Sequence, residues 1–316
     1  MPSGPTHAGA KLDHVMIMVH DLRTASVDYG KLGFRVRSGG RVPGGIENAI
    51  IPFGTDMPYL ELVGIYQPGG EQIRDNEEFL AKGEGAIYVG LEVASAAAVA
   101  ARLRELGVDV PGPVSTTVRA EGVAETAPSP WTNVIIPHGS SPRADPLFFV
   151  EYNKSARANY WARDPDLVGK REEERRIPHP NGAVTLAVAW FAVDSLNTTA
   201  ARYEGMGFHR VREFRIDELS AHAIELALDR GSLLLMESTS ADGPISNVLR
   251  LRGFGIEVPG VSVEVPSIER SLAAMSPQVS AQLHPSDTPW GRNVVVPAEL
   301  AHGVWLELFE RGGPVR

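Results

Sequence analysis

Apolar and polar positions alternate over residues 12–19. Val15, Ile17 and Val19 fall on one face of a strand, and His14, Met16 and Met18 fall on the other. The period then changes. Over residues 21–32, Leu22, Ala25, Tyr29 and Leu32 form one stripe, which predicts a helix with Asp21 as its N-cap and Gly33 as its stop. Three more strand patterns follow, GFRVRSG, ENAIIPF and YLELVGIY, so the stretch reads β-α-β-β-β. The order recurs three times. The second unit begins at Ala86 with AIYVGLEV, a helix over 95–106, then GVDVPGP, TNVIIPH and LFFVEYN. The third begins near Val184, and the fourth runs from Gly260 through VSVEV, a helix over 267–275, QVSAQL, RNVVVP and VWLELFER.

Individual residues support the repeat. Asn48-Ala-Ile-Ile-Pro52, Asn133-Val-Ile-Ile-Pro137 and Asn293-Val-Val-Val-Pro297 are near copies, and each unit's last strand carries one glutamate in an apolar run: Glu61, Glu151, Glu237 and Glu307. A charged and proline-rich stretch over 154–182 separates the second unit from the third and reads as a linker. The predicted organisation is one domain over 10–153, the linker over 154–182, and a second domain over 183–316.

Composition narrows the chemistry. The 316 residues carry a formal net charge of −9, which disfavours a nucleic-acid partner. No apolar run reaches the length of a membrane span, and the N-terminus has no apolar stretch of the secretory kind, so a cytoplasmic protein is expected. The chain has no cysteine, which excludes disulfides, thiolate nucleophiles and thiolate-bound metals. Any bound metal must rest on histidine and carboxylate oxygen. No nucleophile elbow, phosphate-binding glycine loop or HExxH helix is present.

A βαβββ unit with Leu12-Asp13-His14-Val15 in its first strand, Leu32-Gly33-Phe34 after its helix, the run from Asn48 to Pro52, and Tyr59-Leu60-Glu61-Leu62 in its last strand resembles the vicinal oxygen chelate superfamily. That group includes glyoxalase I, extradiol dioxygenases, methylmalonyl-CoA epimerase and antibiotic-resistance proteins; the string SGGRVPGGIENAIIPFG is most similar to its glyoxalase-like branch. The resemblance implies an α+β fold of four βαβββ modules paired into two glyoxalase-like domains. It implies a divalent metal ion (Zn, Ni, Mn, Fe or Co) on His14, Glu61 and Glu151, with Tyr88 in the fourth place. Glu61, Glu151 and Tyr88 are the expected catalytic groups, one glutamate shuttling a proton through an enediolate.

Asn48, Asn133 and Arg41 are candidate substrate-binding residues, although the recurrence at Asn293 also suits a structural role, and the arginine-bearing loop also suits plain solvation. The expected function is a metal-dependent lyase or isomerase acting on a small oxygenated substrate. The alternatives are a non-catalytic small-molecule binding or resistance protein, and an extradiol-type dioxygenase, which a single inner histidine weakens. In the second domain Val188 and Gly260 take the histidine positions, so no metal is expected there. The partners expected are a small molecule and, as an assembly, a homodimer.

Overall fold

The computed structural model describes residues 9–42, 44–54, 58–70, 73–115, 129–137, 145–156, 177–288 and 291–312. The first domain contains β1 (Lys11–Met18), α1 (Leu22–Lys31), β2 (Arg37–Val42), β3 (Ile46–Pro52), β4 (Tyr59–Ile65), α2 (Arg74–Leu80), β5 (Gly85–Glu92), α3 (Ala96–Glu105), β6 (Val114–Ser115), β7 (Trp131–Ile135) and β8 (Leu147–Tyr152). The second contains β9 (Thr185–Val193), α4 (Leu196–Gly205), β10 (His209–Ile216), β11 (Ala221–Ala227), β12 (Ser232–Ser238), α5 (Pro244–Arg252), β13 (Ile256–Glu257), β14 (Gly260–Glu264), α6 (Ile268–Ala274), α7 (Pro277–Ser280), β15 (Ser286–Thr288), β16 (Gly291–Val296) and β17 (Trp305–Phe309). Asp21 caps α1 as the sequence predicts, and Ser95 and Ser267 do the same for α3 and α6; each accepts from a backbone N–H in the first helical turn.

Each domain is one curled sheet. The strand orders are β2-β3-β4-β1-β5-β8-β7-β6 and β10-β11-β12-β9-β14-β17-β16-β15, so β1 and β5 meet antiparallel at the centre of the first sheet, as β9 and β14 do in the second. Two expected strands move. GVDVPGP is loop, and pairing starts later, at Val114. QVSAQL opens instead with the short helix α7, whose Pro277 supplies the fixed φ that a first helical turn accepts.

The convex sides of both sheets share one core. Ile17, Leu60 and Val89 from the first domain join Leu186, Phe191 and Val261 from the second. The concave faces point away from this core, and each has a plug the sequence reading did not anticipate. Phe79 and Leu80 of α2 pack on Met18, Val63 and Ile87, and Ile245 of α5 packs on Ala192, Ala223 and Met236.

Polar ties cross the boundary as well. Arg252, at the end of α5, donates to the carbonyls of Phe79 and Gly83 at 2.9 Å each and of Glu84 at 2.6 Å, which ties α5 to the last turn of α2 and the chain that follows it. His302 sits between Glu84 (2.7 Å) and Asp28 (3.3 Å). The end of the expected linker is also bound down. His179 accepts at Nδ1 from Arg35 N–H and bonds the Pro52 carbonyl through Nε2, both at 2.8 Å, and Asn181 donates to the Leu32 carbonyl. These contacts require neutral His179, and burial lowers its pKa accordingly. Residues 157–176, with the charged run, lie outside the described residues.

A shared core and buried cross-domain hydrogen bonds predict that cutting the chain within 157–176 does not part the halves. The nicked protein should elute as one species in size-exclusion chromatography and separate only in denaturant. Two independently eluting fragments would contradict the shared core.

Candidate functional site in the first domain

The site is built on an irregularity in β1. Leu12 lies opposite Leu91, and His14 lies opposite Gly90, so Asp13 is an extra residue in the pairing with β5. This β-bulge puts Leu12 and Val15 in the core and leaves both Asp13 and His14 on the concave face. Two neighbouring side chains can then touch. His14 Nδ1 lies 2.6 Å from Asp13 Oδ2, and the same oxygen accepts from the Tyr152 hydroxyl at 2.7 Å. The Nδ1–carboxylate contact assigns the neutral imidazole its proton at Nδ1, leaving Nε2 with a lone pair.

Nε2 faces Glu61 Oε2 at 4.0 Å, beyond direct hydrogen-bond reach. The other Glu61 oxygen accepts from Asn48 Nδ2 at 2.6 Å, and Asn48 Oδ1 accepts from Gly40 N–H at 2.9 Å. His14 is 6% exposed. Its ring stacks on Tyr59, centroids 4.7 Å apart, and meets the edge of Phe148 at 5.3 Å. Burial drives the Tyr59 hydroxyl well above the usual phenol pKa, and Tyr152, Glu61 and Asp13 add to the shift, so Tyr59 stays neutral. Gly90 makes room for the ring: a Cβ there would lie 2.6 Å from His14 Cε1.

Strand register settles which positions are equivalent. In the four parallel pairs, Met16 lies beside Glu61, Gly90 beside Phe148, Trp190 beside Leu234 and Ser262 beside Glu307. The concave last-strand positions are therefore Glu61, Phe148, Leu234 and Glu307. Across β1–β5, His14 opposite Gly90 and Met16 opposite Tyr88 place Tyr88 at the position related to His14 by the local twofold. Tyr88 is half-buried on the concave side, edge-on to Phe148 at 6.3 Å.

Glu151 is not brought together with His14 and Glu61. It lies three residues past the concave position, on the helix side, where Oε2 accepts from the first amide of α3, Ala96 N–H, at 2.7 Å. Glu237 does the same for α4 at Leu196 N–H, and Glu310 for α6 at Ile268 N–H. A carboxylate suits this place because a helix's first amides lack intrahelical acceptors and carry partial positive charge. Of the two other candidates, Arg41 is exposed at the sheet edge, paired with Glu47 at 3.3 Å and lying over the Tyr66 ring. Asn133 is equivalent to Asn48, but Phe148 stands where Glu61 would, and its Oδ1 is buried without a hydrogen-bond partner among the described residues.

The metal expectation meets the donor set here. No group of three or more His, Asp or Glu side chains is placed to hold an ion among the described residues. A catalytic ion usually takes three protein ligands. His14 and Glu61 supply two. Asp13 is engaged at His14 Nδ1 and by Tyr152, on the far side of the ring from Nε2, and the positions equivalent to His14 and Glu61 in the second module carry a phenol and a phenyl ring. The three-ligand centre expected from the resemblance does not fit this cleft.

Comparison with known proteins agrees with the fold. The family description "Glyoxalase-like domain" matches residues 12–207, more than half of the chain. The chain belongs to the glyoxalase-like domain family. The match spans the first domain and extends through α4. A hypothetical protein from Staphylococcus aureus superposes with a TM-score of 0.61 at 12% identity, covering 95% of this chain and 99% of that one. A triple mutant of 4-hydroxymandelate synthase from Streptomyces coelicolor gives 0.62 at 13% identity, covering 97% and 94%. At such identities the likeness concerns the fold alone. A search among curated proteins finds no match. The superfamily generally uses divalent metals, which makes the two-donor cleft a departure. No helix among the described residues is long and apolar enough to cross a membrane.

If Glu151 serves helix α3, Glu151→Ala should cost about 1 kcal/mol of stability, as loss of an N-terminal cap does. Urea denaturation checks this, and Glu151→Gln, which keeps an acceptor, should cost less. An Ala variant as stable as wild type would contradict the capping role.

Proposed function

We propose that the first-domain cleft is the active site of a glyoxalase-like isomerase or lyase that moves a proton on a small oxygenated substrate, with His14 and Glu61 as its acid–base pair. The supporting observation is the buried His14 ring, held at Nδ1 by Asp13 and facing Glu61 with Nε2 across 4.0 Å. General acid–base catalysis needs groups whose direction and protonation are set before the substrate arrives. Asp13 and Tyr152 fix one side of the imidazole, and Asn48 fixes one side of Glu61.

The chemistry follows from that arrangement. Nε2 accepts a proton from carbon next to a carbonyl. The resulting imidazolium lies between two carboxylates, so its charge is compensated on both sides, at Nδ1 by Asp13 and at Nε2 by Glu61. The imidazolium then gives the same proton back to the substrate, at carbon or at its second oxygen, either directly from Nε2 or by way of Glu61 Oε2 4.0 Å away, which returns His14 to its neutral form. Tyr88 shares the concave face and offers a hydroxyl to an enolate oxygen. Tyr59 and Phe148 enclose the ring and keep water from it, which strengthens each charge interaction.

The test is exchange in D2O. A panel of 2-oxo acids, hydroxy ketones and thioester acids should include a compound whose α-proton the wild-type protein exchanges. His14→Gln and Glu61→Gln should each slow that exchange by about 100-fold or more, in line with removal of a general base. Exchange with no member of the panel would favour a non-catalytic binder. Divalent ions titrated in parallel should not raise the melting temperature. An ion-dependent rise that disappears in both variants would contradict the acid–base reading and restore a metal.

A further inference from the structure

The second domain contains a cavity of about 470 Å³ in its concave face, within the size range of small-molecule sites. It lies outside the cleft proposed above, in the other sheet. Its floor is polar. Glu307, 3% exposed, accepts from Ser262 Oγ and Asn293 Nδ2, and Ser262 in turn accepts from Trp190 Nε1 at 2.8 Å. Asn293–Glu307 thus repeats Asn48–Glu61. The partner imidazole is not repeated, because Val188 and Gly260 occupy the two inner first-strand positions. A Cβ at Gly260 would lie 2.7 Å from the Trp190 ring, so Trp190 fills that space. The floor is one buried carboxylate among hydrogen-bond donors, and it carries no metal-ligating set among the described residues.

The walls are apolar, with Val188, Leu234, Phe214 and Phe309. The rim carries Arg212, Arg230 and Arg311. Each has a carboxylate neighbour: Glu225 at 2.6 Å, Glu92 at 3.6 Å and Glu264 at 2.8 Å. Of these only Glu225 lines the cavity. The lining has three arginines against Glu225 and Glu307, a net formal charge of +1 in a chain whose net charge is −9. Arg212 and Arg311 are the more exposed of the three, at 40% and 69%, and ion pairs reached by water contribute little, so an incoming anion can compete for their guanidinium groups, whose planar fork suits carboxylates.

We propose that this cavity binds an amphipathic organic monocarboxylate without a metal ion, its carboxylate among the rim arginines and a hydroxyl end on Glu307. The charge pattern sets the orientation. Glu307 repels an anion from the floor and accepts a hydroxyl there, while the arginines hold the carboxylate outside. A phosphate dianion would meet two glutamates for three arginines and lacks the body to cover the apolar walls. The proposal is independent of the proton-transfer reading, which concerns His14 and Glu61.

Isothermal titration with octanoate, 8-hydroxyoctanoate and 3-hydroxybenzoate tests it, with octanamide as the neutral control. At least one acid should bind, and octanamide should bind at least tenfold more weakly than octanoate. The Arg212→Gln/Arg311→Gln double variant should lose at least tenfold in affinity; both side chains are exposed enough for the fold to persist. Arg230 is left intact because it also donates to the Leu12 carbonyl at 3.1 Å across the domain boundary. His14→Gln should bind as wild type does. The proposal is overturned if no acid binds, if octanamide binds as well as octanoate, if the double variant is unaffected, or if His14→Gln abolishes binding.

Discussion

One extra residue in β1 governs the first-domain cleft. On a regular strand, Asp13 would point into the convex core while His14 pointed away from it, and the two side chains could not meet. The bulge turns both to the concave face, so that a carboxylate 2% exposed and an imidazole 6% exposed hold one another. Other features accommodate that pair. Gly90 leaves the ring its space, Tyr59 supports it from one face, and Tyr152 supplies a second donor to Asp13. Charges this deeply placed are costly unless paired or hydrogen-bonded, and the cluster meets that condition with side chains from three strands.

Four modules on one plan show how a buried carboxylate is kept or lost. Where the concave position is glutamate, as at Glu61 and Glu307, an asparagine on the neighbouring strand donates to it. Where the position is Leu234, the corresponding neighbour is Ala223, and the pair is apolar. The second module keeps Asn133 but has Phe148, and the asparagine side-chain oxygen is buried without a partner among the described residues. The result is one cleft with an imidazole facing its carboxylate, and one cavity whose carboxylate is enclosed by neutral donors under a rim of arginines.

Much of this was legible in the chain. Periodicity and the near-copied Asn-to-Pro strands gave the four modules, and the likeness of Leu12-Asp13-His14-Val15 and Tyr59-Leu60-Glu61-Leu62 to a known family gave the superfamily and nominated His14 and Glu61, which share one concave face. The equivalence of the four glutamates was misread, because a lone Glu in an apolar strand looks the same whether it faces a cleft or caps a helix. The three-residue offset between Glu307 and Glu310 was the available clue, since the run VWLELFER carries both, the second just past the end of β17. Strict alternation from Val15 would place Asp13 in the core, so a period of two alone does not reveal its role. A carboxylate at a core position, with Leu12 and Val15 three residues apart, was the signal of a bulge. Gly90 and Tyr152 act only through pairings across the sheet, which a linear pattern does not reveal.

The central claim is that Asp13 fixes the tautomer of His14, and nitrogen NMR of the imidazole reads it directly. With 15N-labelled histidine at a pH where His14 is neutral, wild type should show Nδ1 protonated and Nε2 bare. Asp13→Ala should shift the population toward a proton on Nε2. A wild-type ring protonated at Nε2, unchanged in Asp13→Ala, would contradict the account.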